Sequence, residues 1–108
     1  VVSLKPREKE IEIEYEGQKA KVVIKRLTWG ERNEVLRAAM GKLRMVGGDM
    51  PNVEWDQIAF MEAFVLKATK SAPFQLDVAV LRSLDPEIVD TIYKAAMELN
   101  DDLFRAIF

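Results

Sequence analysis

The stretch Lys19-Ala20-Lys21-Val22-Val23-Ile24-Lys25-Arg26-Leu27-Thr28-Trp29-Gly30-Glu31-Arg32-Asn33 contains the change of period that decides the fold. Upstream of it Glu10, Glu12, Glu14 and Glu16 interleave with Ile11, Ile13 and Tyr15, the period-two alternation of a half-buried strand. Downstream the apolar residues fall at helical spacing. Between the two, Thr28 stands three residues before Glu31, the spacing at which a side-chain hydroxyl and a carboxylate each satisfy an otherwise orphan backbone N–H. A helix is therefore expected to start at Trp29.

Working back from that junction, strands are expected over residues 10–16 and 19–27, joined by Gly17-Gln18 as a type II′ turn with glycine at positive φ. This register sets Tyr15 opposite Ala20, Ile13 opposite Val22 and Ile11 opposite Ile24 on an apolar face. The other face carries Glu16–Lys19, Glu14–Lys21 and Glu10–Lys25. Moving the loop to Glu16-Gly17 keeps the same faces but places a residue with a Cβ at positive φ.

Working forward, the first helix is expected to bury Leu36, Ala39, Met40, Leu43 and the stem of Arg32, and to end at Gly47-Gly48. Asp49-Met50-Pro51-Asn52 reads as a loop. A second helix is expected from about Val53 to Ser71, with Glu54 and Asp56 in its first turn and Lys67 and Lys70 in its last. Its middle, residues 58–66, is apolar on nearly every side, which suits the centre of a core or half of an oligomer interface. Pro73 stops it. A short helix follows over about Asp77 to Ser83. Asp85 then caps a last helix running from Pro86, whose missing N–H costs nothing at that position, to Leu99. Its inward stripe is Val89, Ile92, Tyr93, Ala96 and Leu99, and Asn100 is the stop. The resulting expectation is an α+β domain, mostly helical, with an N-terminal β-hairpin packed against a bundle of about four helices. Residues 1–9 are a flexible lead-in, 10–27 the hairpin, 28–100 the bundle and 101–108 an apolar tail.

At 108 residues the chain accommodates one domain that buries roughly two-thirds of its unfolded surface. Hydrophobic residues make up 49% and charged residues 31%, the balance of a globular protein. Sixteen basic residues against 18 acidic ones leave a net charge of −2, with no excess to neutralise phosphates or hold an anionic membrane. Neither nucleic acid nor membrane is expected as a partner. Cysteine and histidine are both absent, which removes disulfides, thiolate metal sites, and the commonest metal ligand and general base. No cofactor, metal or catalytic residue is expected. No run approaches the roughly 18 apolar residues of a membrane span. The start Val1-Val2-Ser3-Leu4-Lys5-Pro6 has no signal-peptide core. A cytoplasmic location is the expectation.

Glu62 is the sharpest candidate for a functional carboxylate, because Ile58, Ala59, Val65 and Leu66 surround it at helical spacing. The sequence places no second acid, Tyr or Lys beside it, so an ion pair to a neighbouring helix, or exposure at a rim, is the leading reading. Glu98, Asp101 and Asp102 lack the spacing of a calcium loop and read as helix-end solvation. The candidate partner-binding residues are Trp29, Trp55, Phe60, Phe64, Leu103, Phe104, Ile107 and Phe108. The two tryptophans each open a helix, where an indole covers a core edge or anchors a partner; core cover is the leading reading. Leu103, Phe104, Ile107 and Phe108 form an apolar stripe that either docks on the chain's own core or binds another chain.

The segment Lys25-Arg26-Leu27-Thr28-Trp29-Gly30-Glu31-Arg32-Asn33-Glu34 resembles the opening of the first helix in small tail assembly chaperones of long-tailed phages. Leu66-Lys67-Ala68-Thr69-Lys70-Ser71-Ala72-Pro73-Phe74 is similar to that family's helix end followed by Ala-Pro-Phe. Leu81-Arg82-Ser83-Leu84-Asp85-Pro86 and Leu99-Asn100 are similar to its later helix start and finish. The resemblance covers about residues 20–100 and rests on caps and core positions, which specify a fold better than a function. It implies a non-enzymatic morphogenesis protein of a virus or prophage, acting in the host cytoplasm. Such a protein self-associates, coats a helical tape-measure protein and recruits tail-tube subunits. The alternative is a cellular adaptor or regulatory subunit that uses the same surfaces for another partner. A small enzyme built on Glu62 is a third reading.

Overall fold

The computed structural model describes residues 7–46 and 50–102, without the side chains of residues 41–54. The N-terminal alternation forms β1 (Glu8–Tyr15) and β2 (Gln18–Lys25), paired antiparallel. Ile13, Val22 and Ile24 point inward and are buried, with Ile11, Tyr15 and Ala20 half-buried on the same face. The opposite face carries the charges: Lys21 lies 3.2 Å from Glu10, and Lys19 lies 4.0 Å from Glu12.

The turn differs from the expected one. The loop is Glu16-Gly17, with φ of 53° and 76°, and the register is Tyr15↔Gln18, Ile13↔Ala20 and Ile11↔Val22. Positive φ at both central residues is the type I′ geometry, whose twist matches that of the flanking strands. Left-handed backbone at Glu16 costs about 1 kcal/mol, and the strand twist gained offsets it. As anticipated for a two-residue slide, the faces are unchanged.

The capping box is present as read. Glu31 N–H donates to Thr28 Oγ1 (3.2 Å), and Thr28 N–H donates to Glu31 Oε1 (3.0 Å). The second carboxylate oxygen accepts from Lys25 Nζ at 2.7 Å, so the end of β2 and the start of α1 (Trp29–Ala39) share one glutamate.

The middle of the chain departs further. α1 stops at Ala39, and the residues expected to continue it form β3 (Met40–Val46), paired with β4 (Met50–Trp55) where a loop and the start of the second helix were expected. Gly41 costs a helix interior about 1 kcal/mol, and antiparallel pairing of β3 with β4 accommodates it. Val35, outside the expected stripe, is fully buried beside Ala39. Met40, expected inside, is 51% exposed. Gly47, Gly48 and Asp49 lie outside the described residues.

The second helix, α2 (Gln57–Ala68), is correspondingly shorter. Asp56, expected inside the first turn, is its N-cap and accepts from Ala59 N–H at 3.0 Å. At the other end Thr69 turns extended, and β5 (Thr69–Ser71) joins the outer side of β2, giving a three-stranded antiparallel sheet in the order β1-β2-β5. Thr69 keeps its buried hydroxyl satisfied on Val65 C=O at 2.7 Å. α3 (Val78–Ser83) and α4 (Pro86–Leu99) fall where expected, capped by Asp77 and Asp85. The core lies between the sheet and the helices: α4 packs against β1 and β2, and α2 is held between α4 and α1. Phe60, Phe64, Ile24, Ile92, Val22, Val35 and Val65 are its fully buried large side chains.

One polar residue ties the layers together. Asn100 is 3% exposed, and its side chain both accepts and donates hydrogen bonds there. Leu27 N–H donates to Oδ1 at 2.9 Å, and Nδ2 donates to the carbonyls of Lys25 (3.2 Å) and Ala96 (3.0 Å). Beside it Arg26 reaches across to Leu99 C=O and the Asp102 carboxylate, both at 3.0 Å. Residue 100 therefore does more than stop a helix.

Two outcomes follow. Glu16→Asn places a residue that tolerates left-handed backbone before Gly17 and should raise stability by about 0.5–1 kcal/mol in urea unfolding; no gain would contradict the turn assignment. Asn100→Ala strands the Leu27 donor and the Lys25 acceptor away from water and should cost about 2–3 kcal/mol in the same measurement. A loss within about 0.5 kcal/mol, the size of an ordinary surface change, would contradict the clamp.

Candidate protein-binding surface

Because α2 is apolar nearly all round, burying one face leaves another. The inner face carries Phe60, Phe64, Val65 and Ala68. Phe60 stacks on Phe64 with centroids 5.8 Å apart, and Phe64 meets Tyr93 of α4 edge-on at 5.9 Å. Burial pushes the Tyr93 phenol above its usual range, against a hydrogen bond with Gln57. Phe60 and Phe64, candidates for partner contact, are thus fully enclosed in the chain's own core and absent from its surface.

The outer face of α2 borders two open clefts. One, of about 370 Å³, lies between α1, α2 and α3, with Val35 and Ala38, then Ala59, Ala63 and Leu66, then Val78 along its walls. The other, of about 310 Å³, is lined by Ile58, Met61, Leu81 and Val89. Ile58 is 70% exposed and Val78 is 37% exposed, large apolar groups that the fold leaves in water. Small side chains one turn apart make a shallow floor on which another helix can approach closely.

Glu62 and Arg82 border both clefts. Arg82 on α3 donates twice to the Glu62 carboxylate, Nε to Oε2 at 2.5 Å and Nη2 to Oε1 at 3.0 Å. This bidentate pair holds the Glu62 carboxyl below its ordinary value of 4.5, against the opposing effect of burial. A carboxylate so held is a poor proton donor, and the ion-pair reading of Glu62 accounts for it. On the far wall Lys67 and Glu34 pair at 2.5 Å, fixing α2 to α1 across the surface. The surface can therefore offer apolar contact framed by fixed charge. Among the described residues no group of three His, Cys, Asp or Glu is placed to hold a metal ion.

The two tryptophans separate. Trp55 packs on Phe60 with centroids 5.3 Å apart and donates its indole N–H to Gln57 Oε1 at 2.9 Å, while 41% of it remains exposed. It covers the core and still presents a surface. Trp29 is 77% exposed, so the reading of it as core cover is corrected. Leu27, Thr28 and Glu31 are accounted for by the junction; Trp29 is not, and solvent-facing indoles are frequent anchors of protein contacts. Leu103, Phe104, Ile107 and Phe108 lie outside the described residues. Of the acidic group near the last helix, Glu98 pairs with Lys9 at 3.7 Å and Asp102 with Arg26.

Sequence reasoning missed the clefts. Their signal was present as Ala59, Ala63 and Leu66 at helical spacing opposite the phenylalanines, but only the packing of α1 and α3 shows which side stays open.

The depressed Glu62 pKa has a definite sign. Its contribution to stability is fully present above the ordinary glutamate value and is lost as pH falls through the lower folded value. In thermal unfolding from neutral pH to about pH 3, Glu62→Gln should be less stable than the parent at neutral pH, and the gap should close as the solution is acidified. A gap that stays constant would contradict the pairing.

Comparison with family models, with curated proteins and with solved structures gave no match to this chain.

Proposed function

We propose that this chain is a non-enzymatic tail assembly chaperone of a virus or prophage, which holds a helical client, a tape-measure protein, on the outer face of α2 and recruits tail-tube subunits. The observation that carries the reading is the pair of apolar clefts along that helix, with Ile58 and Val78 exposed at them. A client helix laid there would set residues at i, i+3, i+4 and i+7 into the clefts on either side of the Glu62–Arg82 bridge, the helix-in-groove mode of recognition. Each such contact is small. A long client with many repeats of the pattern would gain its affinity from many copies of the chaperone bound side by side, which accords with self-association.

The resemblance to that family draws support from how its motifs are used. Arg26 and Leu27 bond to Leu99 and Asn100 although more than seventy residues separate them in the chain, and Thr28 and Glu31 follow directly as the cap of α1. Motif positions that are distant in the chain and mutually bonded in space belong to one structural unit. The exposed Trp29 in the same motif adds a second contact point at the start of α1.

The test is affinity capture of the tagged chain from cells carrying its native genome with viral genes induced, followed by mass spectrometry. A very long, helix-rich chain together with a tube subunit is the expected recovery. Ile58→Glu, at a position already in water, should leave thermal unfolding unchanged and lower client recovery at least about tenfold, the effect of losing one central apolar anchor. Recovery of cellular partners alone would overturn the chaperone reading in favour of an adaptor.

A further inference from the structure

We propose that the open edge of β1 is a docking strand for an extended segment of a partner chain in which basic and apolar residues alternate. This surface is separate from the α2 clefts and does not rest on the chaperone reading. β1 is terminal in the sheet order, and among the described residues no strand pairs with its outer side. The hairpin geometry fixes which backbone groups are open. The residues flanking a two-residue loop form a hydrogen-bonded pair, so Tyr15, Ile13, Ile11 and Lys9 turn their N–H and C=O groups toward β2. The bond from Arg26 N–H to Arg7 C=O at 2.8 Å continues that parity. Glu8, Glu10, Glu12 and Glu14 therefore present their backbone donors and acceptors outward, at eight-residue strand length.

The edge is not sealed by the helix beneath it. A crevice of about 220 Å³ separates Glu12 and Glu14 from Glu87 and Thr91 of α4, with Ile13 and Ile88 at its base. It is continued toward the turn by a second space of about 320 Å³ that adds Glu16 and Asp85. No lysine or arginine lines either one. Glu14 has no ion pair among the described residues.

Charge selects the occupant. In an antiparallel ladder, residues directly opposite share a face, so a strand bonded to this edge would set every second side chain against Glu10, Glu12 and Glu14 and the intervening ones beside Ile11 and Ile13. A second copy of β1 would set glutamate against glutamate, which is repulsive, and edge charges of this kind oppose self-pairing. A basic and apolar alternation satisfies both faces. β2 already demonstrates the match on the other side, placing Lys19 opposite Glu14, Lys21 opposite Glu12 and Lys25 opposite Glu8.

The experiment is backbone amide exchange by NMR on the full chain, titrated with a capped octapeptide of alternating lysine and valine and with its block isomer of the same composition. The expected result is exchange slowed by about tenfold or more at Glu8, Glu10, Glu12 and Glu14 with the alternating peptide only, since backbone pairing protects amides and charge attraction alone does not. Equal effects from both peptides would overturn the proposal, as would unprotected edge amides. So would protection without peptide that grows with protein concentration, which would assign the edge to a second copy. Glu12→Pro removes an outward N–H that the sheet does not use, and it should abolish the protection while the chain stays folded. Glu14→Lys keeps the backbone and should weaken peptide binding several-fold; unchanged binding in both variants would overturn the proposal.

Discussion

The structure depends on the burial of one amide. Asn100 sits where the end of α4 meets the exit from β2, and its side chain replaces water for the Leu27 donor and the Lys25 acceptor. Lys25 is the last residue of β2, and Leu27 lies beyond the strand and before α1. Left unpaired in a buried site, that donor and acceptor would each cost about 1–3 kcal/mol. Satisfied, they fix the direction in which the chain leaves the sheet and hence where Thr28 can cap α1. Arg26, bonded to Leu99 C=O and Asp102, closes the same joint from the surface. With α4 pinned at its end and packed along β1 and β2, α2 has a defined slot, and its phenylalanines fill it.

That slot produces the surface feature of interest. α2 needs only one apolar face to complete the core, yet its sequence is apolar on the other side as well. α1 and α3 cover the flanks and leave the outer ridge between two clefts, with a bidentate ion pair set between them. The pair holds α3 to α2 while leaving Ile58, Ala59 and Ala63 unroofed. The apolar composition accords with contact to another helix, and the alternating β1 edge offers a second, chemically different place for an extended chain.

Much of this architecture was legible from short-range rules. The alternation from Glu10 to Tyr15, the Thr28 and Glu31 box, the Asp85-Pro86 start and the inward stripe of α4 are each set by neighbours in the sequence, and each appears in the structure. What was not legible depended on competition between local choices or on distant partners. Glu16-Gly17 and Gly17-Gln18 are both admissible turns, and the twist of the paired strands decides between them. Residues 40–46 continue the helical spacing of α1 and 53–55 read as the start of the next helix, with 49–52 as a loop between them; the pairing of β3 with β4 overrides both helix ends, and no local window contains that competition. Thr69 leaves its helix because the edge of β2 offers bonds to it, a partner 45 residues away that no window around Thr69 contains. The Asn100 side chain was read as a helix stop, and its larger role needs the approach of β2. The candidate site was legible in part: α2 as an over-apolar helix and Glu62 as an ion-paired residue were read correctly, while Phe60 and Phe64 proved internal and Trp29 external.

Native-state hydrogen exchange at the Leu27 amide tests the Asn100 clamp directly. Its acceptor is a side chain carried by another element, so local fraying of β2 cannot expose it without breaking the joint. Leu27 is expected to exchange only through global opening, with a free energy equal to that of unfolding measured by denaturant. Exchange of Leu27 at the rate of a surface loop, while the amides of Phe60 and Phe64 stay protected, would show that the core stands without the clamp and would contradict it.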